Sequence, residues 1–463
     1  ELRENCADHE WQLSFVAADK GEETAEMSRS IESVAVLGAG TMGSGIAAAS
    51  AEAGCRVLLL DVTRERAEQA IAAMTEGRSP ALSDPAKAAQ ITPGMLESDL
   101  AAIRGHDWIC EAVVEDLATK RRLFDKIAAL GVDGSVISTN TSGIPLRAIA
   151  EGMPEALRRS IAVTHFFNPV KVMKLLEIVP GAETAPDVIE RLADFGRERL
   201  GKGVVYAKDT VNFIGNRIGC FWMLSGLHKA RAALADGVSM EEIDALMGQP
   251  VGIPGTGLYG LIDLIGLDVM DLVGRNLSAN LPEGDPGHAY TELPATERAM
   301  LERGQLGRKT GGGFYRMQKA DDGSRTKEAF DLVRETWRAA EPVKPAPPHD
   351  KAETLLFADD LRGRFAWELM GGTLLYAADL VPAIADDIVN IDRAMRWGFN
   401  WREGPFELMD RIGPARIGER LAAENRALPK MLDVLKSAGE DSFYRDGAAY
   451  LGLDGAYHLV PPA

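Results

Sequence analysis

Two residues twelve positions apart offer the clearest chemistry in this sequence, His165 and Glu177. His165 closes the apolar run Ile161-Ala162-Val163-Thr164 and precedes Phe166-Phe167-Asn168-Pro169, while Glu177 sits inside Leu175-Leu176-Glu177-Ile178-Val179. A glutamate flanked by four aliphatics is costly to bury unless it is paired. If the chain turns at Asn168-Pro169 and returns, that carboxylate reaches the far nitrogen of the imidazole. Such a pair fixes the tautomer and stabilises imidazolium, which is what a general base needs. The same pattern also allows a core histidine beside an edge-strand glutamate. Gly38-Ala39-Gly40-Thr41-Met42-Gly43 is a G-x-G-x-x-G turn, with Asp61 eighteen residues past its last glycine. Its glycines suit a tight turn, backbone approach to a pyrophosphate and close helix-to-strand packing, and the helix that follows offers free N–H groups to phosphate. Asp61 would accept hydrogen bonds from an adenosine ribose and repel a 2′-phosphate, favouring NAD, although Arg64 keeps NADP open. A structural glycine turn without a ligand is the other reading. Asn140-Thr141-Ser142 brings small amide and hydroxyl groups to another strand end, either to orient a substrate oxygen or to cap a helix. Glu115 and Lys120 read as a ribose contact or as surface charge, and Asn216 is an amide inside an apolar helix.

The elements that must position these groups fit a large, ordered chain. Its 463 residues leave room for three domains at the usual ~150 residues each, and 46% hydrophobic content excludes wholesale disorder. A formal charge of −18 disfavours nucleic acid and anionic membrane surfaces. No run approaches the ~20 apolar residues of a membrane helix. Cys6, Cys55, Cys110 and Cys220 are scattered without metal-ligand spacing and read as buried thiols of a reducing compartment. Residues 1–30 hold eight acids, three bases and little apolar periodicity, and their first methionine is Met27, so they read as a tail.

Order begins at Ile31-Glu32-Ser33-Val34-Ala35-Val36-Leu37. A small-residue helix and the run Cys55-Arg56-Val57-Leu58-Leu59-Leu60 complete a βαβ unit, hence a parallel sheet. Apolar runs at 108–114, 136–138, 161–164 and 175–179 continue it, around a polar, helix-prone insertion over 62–105. From about 208 the pattern turns helical. Residues 340–350 hold four prolines and read as a semi-rigid linker. Ile243-Asp244-Ala245-Leu246-Met247 recurs 148 residues later as Ile391-Asp392-Arg393-Ala394-Met395. Leu261-Ile262-Asp263-Leu264-Ile265-Gly266 recurs 147 residues later as Leu408-Met409-Asp410-Arg411-Ile412-Gly413. Two motifs at one spacing in one order point to a duplicated helical domain.

Together the motifs resemble the 3-hydroxyacyl-CoA dehydrogenase family of fatty-acid β-oxidation. Gly38–Gly43, Val113-Val114-Glu115, Asn140-Thr141-Ser142, His165-Phe166-Phe167-Asn168-Pro169, Val172-Met173-Lys174-Leu175-Leu176-Glu177 and Phe213-Ile214-Gly215-Asn216-Arg217 match in order. Gly307-Arg308-Lys309-Thr310-Gly311-Gly312-Gly313-Phe314-Tyr315 is similar to the close of the family's first helical domain. The resemblance implies NAD-dependent oxidation of (S)-3-hydroxyacyl-CoA to 3-oxoacyl-CoA. His165 would be the base, Glu177 its orienting partner, and Ser142 and Asn216 the groups binding substrate oxygens. Gly38, Gly40, Thr41, Met42, Gly43, Asp61, Glu115, Lys120, Asn168 and Lys309 would contact NAD, with no metal required. The implied fold is an α/β Rossmann-type domain followed by two all-α helical domains related by duplication. Its expected bounds are a tail over 1–30, the NAD-binding domain over 31–207, a first helical domain over 208–318, a linker over 319–350 and a second helical domain over 351–463.

Three departures stand out. Where the family commonly reads Asp-Thr-Pro-Gly-Phe, this chain has Asp209-Thr210-Val211-Asn212-Phe213, so the lead-in to that helix is expected to differ. The Pro-x-Gly-Pro loop appears as Pro254-Gly255-Thr256-Gly257, leaving acyl-chain preference open. The repeat spacing carries Asn216 onto Arg364, so the second copy reads as structural. Duplication resembles the multifunctional β-oxidation proteins, in which an enoyl-CoA hydratase module shares the chain; no such module is expected within these residues, as in a truncated or split version of that arrangement. The expected partners are therefore the acyl-CoA substrate, a second copy of this chain, or a hydratase or thiolase. With no terminal Ser-Lys-Leu and no Arg- and Ser-rich leader, a bacterial cytoplasm is the expected location. A dehydrogenase of a free hydroxy acid or sugar acid, and a silent assembly subunit, are the alternatives.

Overall fold

The structure is a computed structural model that describes residues 30–77, 79–319 and 325–462. The expected tail lies, but for Ser30, outside the described residues. The first half builds one eight-stranded sheet from β1 (Ser33–Leu37), β2 (Arg56–Asp61), β3 (Ile91–Met95), β4 (Trp108–Glu111), β5 (Val136–Thr139), β6 (Ile161–Phe166), β7 (Leu175–Pro180) and β8 (Gly203–Tyr206). Their order across the sheet is β3-β2-β1-β4-β5-β6-β7-β8. Strands β1 to β6 run parallel, β7 is antiparallel to β6, and β8 is parallel to β7. Helices cover both faces of such a sheet, so its strands are apolar throughout rather than alternating: all five residues of β1 are buried. The order reverses between β1 and β4, and there the carboxyl ends open a crevice.

Register decides what meets in that crevice. Leu37 pairs with Glu111, Glu111 with Thr139, and Thr139 with Val163. Gly38, Ala112, Asn140 and Thr164 therefore follow abreast, one residue further along four neighbouring strands. The antiparallel β6–β7 hairpin sets His165 directly opposite Glu177.

The region 62–105 is not simply a helical insertion. It forms the helix Arg64–Ala73 and then β3, which closes one edge of the sheet. Pro93 and Gly94 obscure that strand in the sequence, and the edge is where a sheet tolerates proline. The expected 319–350 linker also needs correction. Arg325–Asp331 and Thr336–Ala339 join Tyr315–Lys319 in an antiparallel three-stranded sheet. Ala329 and Phe330 of that sheet are buried, with Trp337 edge-on to Phe330. The remainder, 340–350, has no helix or strand.

The helical half is consequently not all-α. A second three-stranded sheet (Tyr444–Arg445, Ala449–Leu451, Tyr457–Leu459) lies near its end. Each small sheet is tied to a helix start by a buried aspartate. Asp244 accepts from the Tyr259 and Gly260 amides and from the Tyr315 hydroxyl, at 2.7, 3.1 and 2.8 Å. Asp392 accepts from the Phe406 and Glu407 amides and the Tyr444 hydroxyl, at 2.9, 3.1 and 2.8 Å. A further pair repeats the scheme, with Asp263 on the amides of Phe314 and Tyr315 and Asp410 on those of Phe443 and Tyr444. The helix Ile388–Gly398 packs along β8, where the Asn390 side chain accepts from the Tyr206 amide at 2.8 Å. The Trp397 ring closes over Gly203, leaving no room for a side chain there.

Candidate active site

The structure brings His165 and Glu177 together. His165 Nδ1 lies 2.5 Å from Glu177 Oε2, with the two residues 4% and 0% exposed. The other carboxylate oxygen accepts the amides of Ile214 and Gly215 at 3.1 and 2.8 Å, at the start of the helix Gly215–Ala235. One buried carboxylate thus joins the imidazole to the positive end of a 21-residue helix, and its desolvation is offset by three donors. With Nδ1–H given to Glu177, the hydrogen-bond pattern makes Nε2 the basic nitrogen, and it has no partner among the described residues. The ring is held between Phe167 and Phe213, at centroid distances of 4.6 and 5.6 Å.

The lead-in to that helix takes up the departure noted in the sequence. Asn212 and Phe213 adopt φ of 60° and 50°. Asparagine tolerates this left-handed region, so it stands in for the glycine common at that position. For Phe213 the conformation costs about 1–3 kcal/mol. The turn sets the two amides on Glu177 and the Phe213 ring on His165 at once. Asn216, half-buried, follows Gly215 on the same helix, while Ser142 is exposed beyond the end of β5. Neither side chain hydrogen-bonds to another described residue.

In the G-x-G-x-x-G turn, a Cβ on Gly38 would come 2.5 Å from the Ala112 carbonyl oxygen, and one on Gly43 would come 1.8 Å from that of Gly38. These two glycines are demanded by the chain itself. Gly40 is not: a Cβ there meets nothing within 4 Å. The helix Thr41–Glu52 begins beside that open space with no side-chain cap, so Thr41, Met42 and Gly43 present first-turn amides suited to a pyrophosphate. Asp61 Oδ2 fastens the turn through the Ala39 amide at 2.6 Å, and Arg66 lies 3.2 Å from Oδ1. Arg64, which kept NADP open, is spent on Asp99 and the Pro93 carbonyl at 2.7 and 2.8 Å. The residues present therefore fit NAD. Gly40→Val is expected to raise the NAD KM at least ~10-fold with little change in melting temperature, because its side chain would enter ligand space without touching the protein. Steady-state kinetics and a thermal melt check this.

Lys120 differs from its expected role. It is 0% exposed, and its ammonium bonds Glu111 at 2.8 and 2.9 Å and Glu115 at 3.3 Å. Those contacts use the donor capacity of the ammonium, so Lys120 acts on the crevice through Glu115. Glu115 in turn holds the loop after β5, accepting from the Thr141 hydroxyl and the amides of Ser142 and Gly143 at 2.6, 2.9 and 3.0 Å. Burial works to raise the Glu115 pKa, but the Lys120 charge and these hydrogen bonds outweigh it and hold it below the ordinary value. Asn168 is exposed on the β6–β7 loop. Lys309 pairs with Asp268 at 2.6 Å, and no contact joins it to the crevice.

Sequence reasoning missed Glu111, the buried centre of the Lys120 cluster, although an acid ending Trp108-Ile109-Cys110-Glu111 was a legible signal. It also missed Lys202, whose ammonium donates to the carbonyls of Val170 and Met173 and so braces the loop carrying Asn168. Burial pushes Lys202 down to about 8. Cys55, Cys110 and Cys220 are buried thiols, pushed up to about 11, 12 and 12 by burial, and Cys6 lies outside the described residues. Among the described residues, no cluster of His, Cys, Asp or Glu could hold a metal, and no helix is long and apolar enough to cross a membrane.

Residues 33–210 match the NAD-binding domain of 3-hydroxyacyl-CoA dehydrogenase, and residues 213–317 match its C-terminal domain. A probable 3-hydroxyacyl-CoA dehydrogenase of Bacillus subtilis is 36% identical over 94% of this chain, which spans 58% of that protein. A putative fatty acid oxidation complex trifunctional enzyme of Rickettsia felis is 36% identical over 83% of this chain, which spans 53% of that protein. The chain thus covers little more than half the length of these relatives. The crystal structure of 3-hydroxybutyryl-CoA dehydrogenase from Escherichia coli superposes with a TM-score of 0.68 at 26% identity, covering 89% of this chain and all of that one. On the two matched domains and these relatives, the chain belongs to the 3-hydroxyacyl-CoA dehydrogenase family.

Proposed function

We propose that this chain oxidises (S)-3-hydroxyacyl-CoA to 3-oxoacyl-CoA with NAD. The observation that carries the reading is the buried His165–Glu177 pair at the carboxyl end of β6, with Nε2 unpartnered among the described residues. His165 Nε2 takes the C3 hydroxyl proton as the carbonyl forms, and Glu177 stabilises the resulting imidazolium. NAD, when bound, supplies the acceptor for the hydride leaving C3. Ser142 and Asn216 bind substrate oxygens, consistent with their lack of protein partners. Gly38, Gly40, Thr41, Met42, Gly43 and Asp61 form the nucleotide cradle, and Glu115 and Asn168 complete it, with Lys120 positioning Glu115; Lys309, held by Asp268, is left outside it.

The two helical regions are read as copies of one unit. The support is the repeated aspartate scheme, in which Asp244 and Asp263 are answered by Asp392 and Asp410 with the same classes of donor. Domain bounds of 31–207, 208–339 and 351–463 follow, joined by 340–350. A cytoplasmic protein that pairs with a hydratase, a thiolase or its own copy fits this reading.

The test is a spectrophotometric assay of NADH with 3-oxoacyl-CoA thioesters from butyryl to palmitoyl length. NADH consumption with the thioesters, and none with the free 3-oxo acids, is expected. Equal rates with free acids, or no turnover with any thioester, would overturn the proposal.

A further inference from the structure

A cleft of about 760 Å³ opens between the helix Gly215–Ala235 and the chain around Arg364–Asp379, and it shares no residue with the site above. Small-molecule sites commonly measure about 300–1,000 Å³. In a chain of formal charge −18 this cleft is locally cationic, with Lys229, Arg364, Arg420 and Arg426 facing Glu368, Asp379 and Glu424. Glu424 is already shared by Arg420 and Arg426, at 3.0 Å from each. Lys229 and Arg364 form no ion pair with any described residue. Arg364 gives one hydrogen bond, to the Asp359 carbonyl at 3.0 Å.

Lys229 donates to the Glu368 carbonyl at 2.7 Å and sits 5.6 and 5.3 Å above the rings of Phe221 and Tyr290. Burial pushes its pKa down to about 8. A Cβ on Gly372 would come 3.0 Å from the ammonium, so glycine keeps that space clear. Glu368 attracts the Lys229 ammonium through its charge but makes no contact ion pair with it, so an anion entering the cleft would meet an ammonium with no carboxylate directly on it. The rest of the wall is apolar. Phe221 stacks on Tyr376 at 4.0 Å beside Leu375. Arg364 is also the residue onto which the repeat spacing carries Asn216, so the second unit has a charge where the first has a neutral amide.

We infer that this cleft binds a small amphipathic anion, a carboxylate or a phosphate monoester carrying an apolar chain. Its head lies on Lys229 and Arg364 and its chain on Phe221 and Leu375. The inference goes beyond the proposed dehydrogenase activity and does not need it.

Isothermal titration of the NAD-saturated full chain with octanoate, octyl phosphate and octanol tests it. At least one of the two anions should bind saturably at a single site, at least tenfold more tightly than octanol, and the stronger of the two identifies the head group. That binding should weaken at least tenfold in Arg364→Ala, an exposed position, and in Lys229→Met, with melting temperature and NADH affinity showing that both variants are folded. Absence of saturable binding by either anion, octanol binding as well as the anions, or unchanged anion affinity in folded Arg364→Ala and Lys229→Met would each overturn the inference.

Discussion

Glu177→Gln is expected to lower kcat by about 10³-fold or more, an effect that comes from the wrong tautomer rather than from lost packing. The wild-type carboxylate serves two masters, His165 Nδ1 through one oxygen and the amides of Ile214 and Gly215 through the other. Glutamine has only one acceptor oxygen. If that oxygen stays with the helix amides, its NH₂ faces Nδ1, which must then accept. The proton moves to Nε2, and the proposed base can no longer receive one from substrate. If the amide turns the other way, two backbone N–H groups lose their acceptor, at about 1–3 kcal/mol for each buried group left unsatisfied. Stopped-flow turnover, NADH binding by fluorescence and a denaturation curve separate these branches. Turnover within a few-fold of wild type, in a folded protein, would show that Glu177 does not orient the base.

The second large effect belongs to His165. His165→Gln should reduce kcat at least ~10²-fold while NAD still binds, because general-base catalysis typically contributes 10²–10⁴-fold. Glutamine can keep a hydrogen bond to Glu177 and much of the contact with Phe167 and Phe213, so the fold should tolerate it. It cannot take up a proton near neutral pH. No contact in the structure ties His165 to the Gly38–Gly43 turn, so NAD affinity is the internal control. Near-normal turnover in this variant removes the proposed base.

Several features were legible because they are written in local constraints. The glycine turn could be read since Gly38 and Gly43 each face a backbone atom too close for any Cβ. The His165–Glu177 pair could be read since an antiparallel return of two apolar strands leaves few ways to arrange a histidine and an acid twelve residues apart. Where local signals conflicted, the reading failed. Proline and glycine in Ile91–Met95 hid an edge strand, and 325–339 read as linker because most of its strand residues are polar, with few buried positions to signal a sheet.

By itself the sequence determined the βαβ nucleotide turn, the hairpin that pairs an imidazole with a carboxylate, and the recurrence of two aspartate motifs in the helical half. Each depends on backbone geometry or on residues within about one supersecondary unit. Only the tertiary structure decided that Lys120 is buried against Glu111, that Glu177 also caps a helix beginning 38 residues later, and that the two helical regions leave a cationic cleft between them. Those outcomes depend on which surfaces pack together across long stretches of chain. Packing is set by the whole core at once, and no local spacing encodes it.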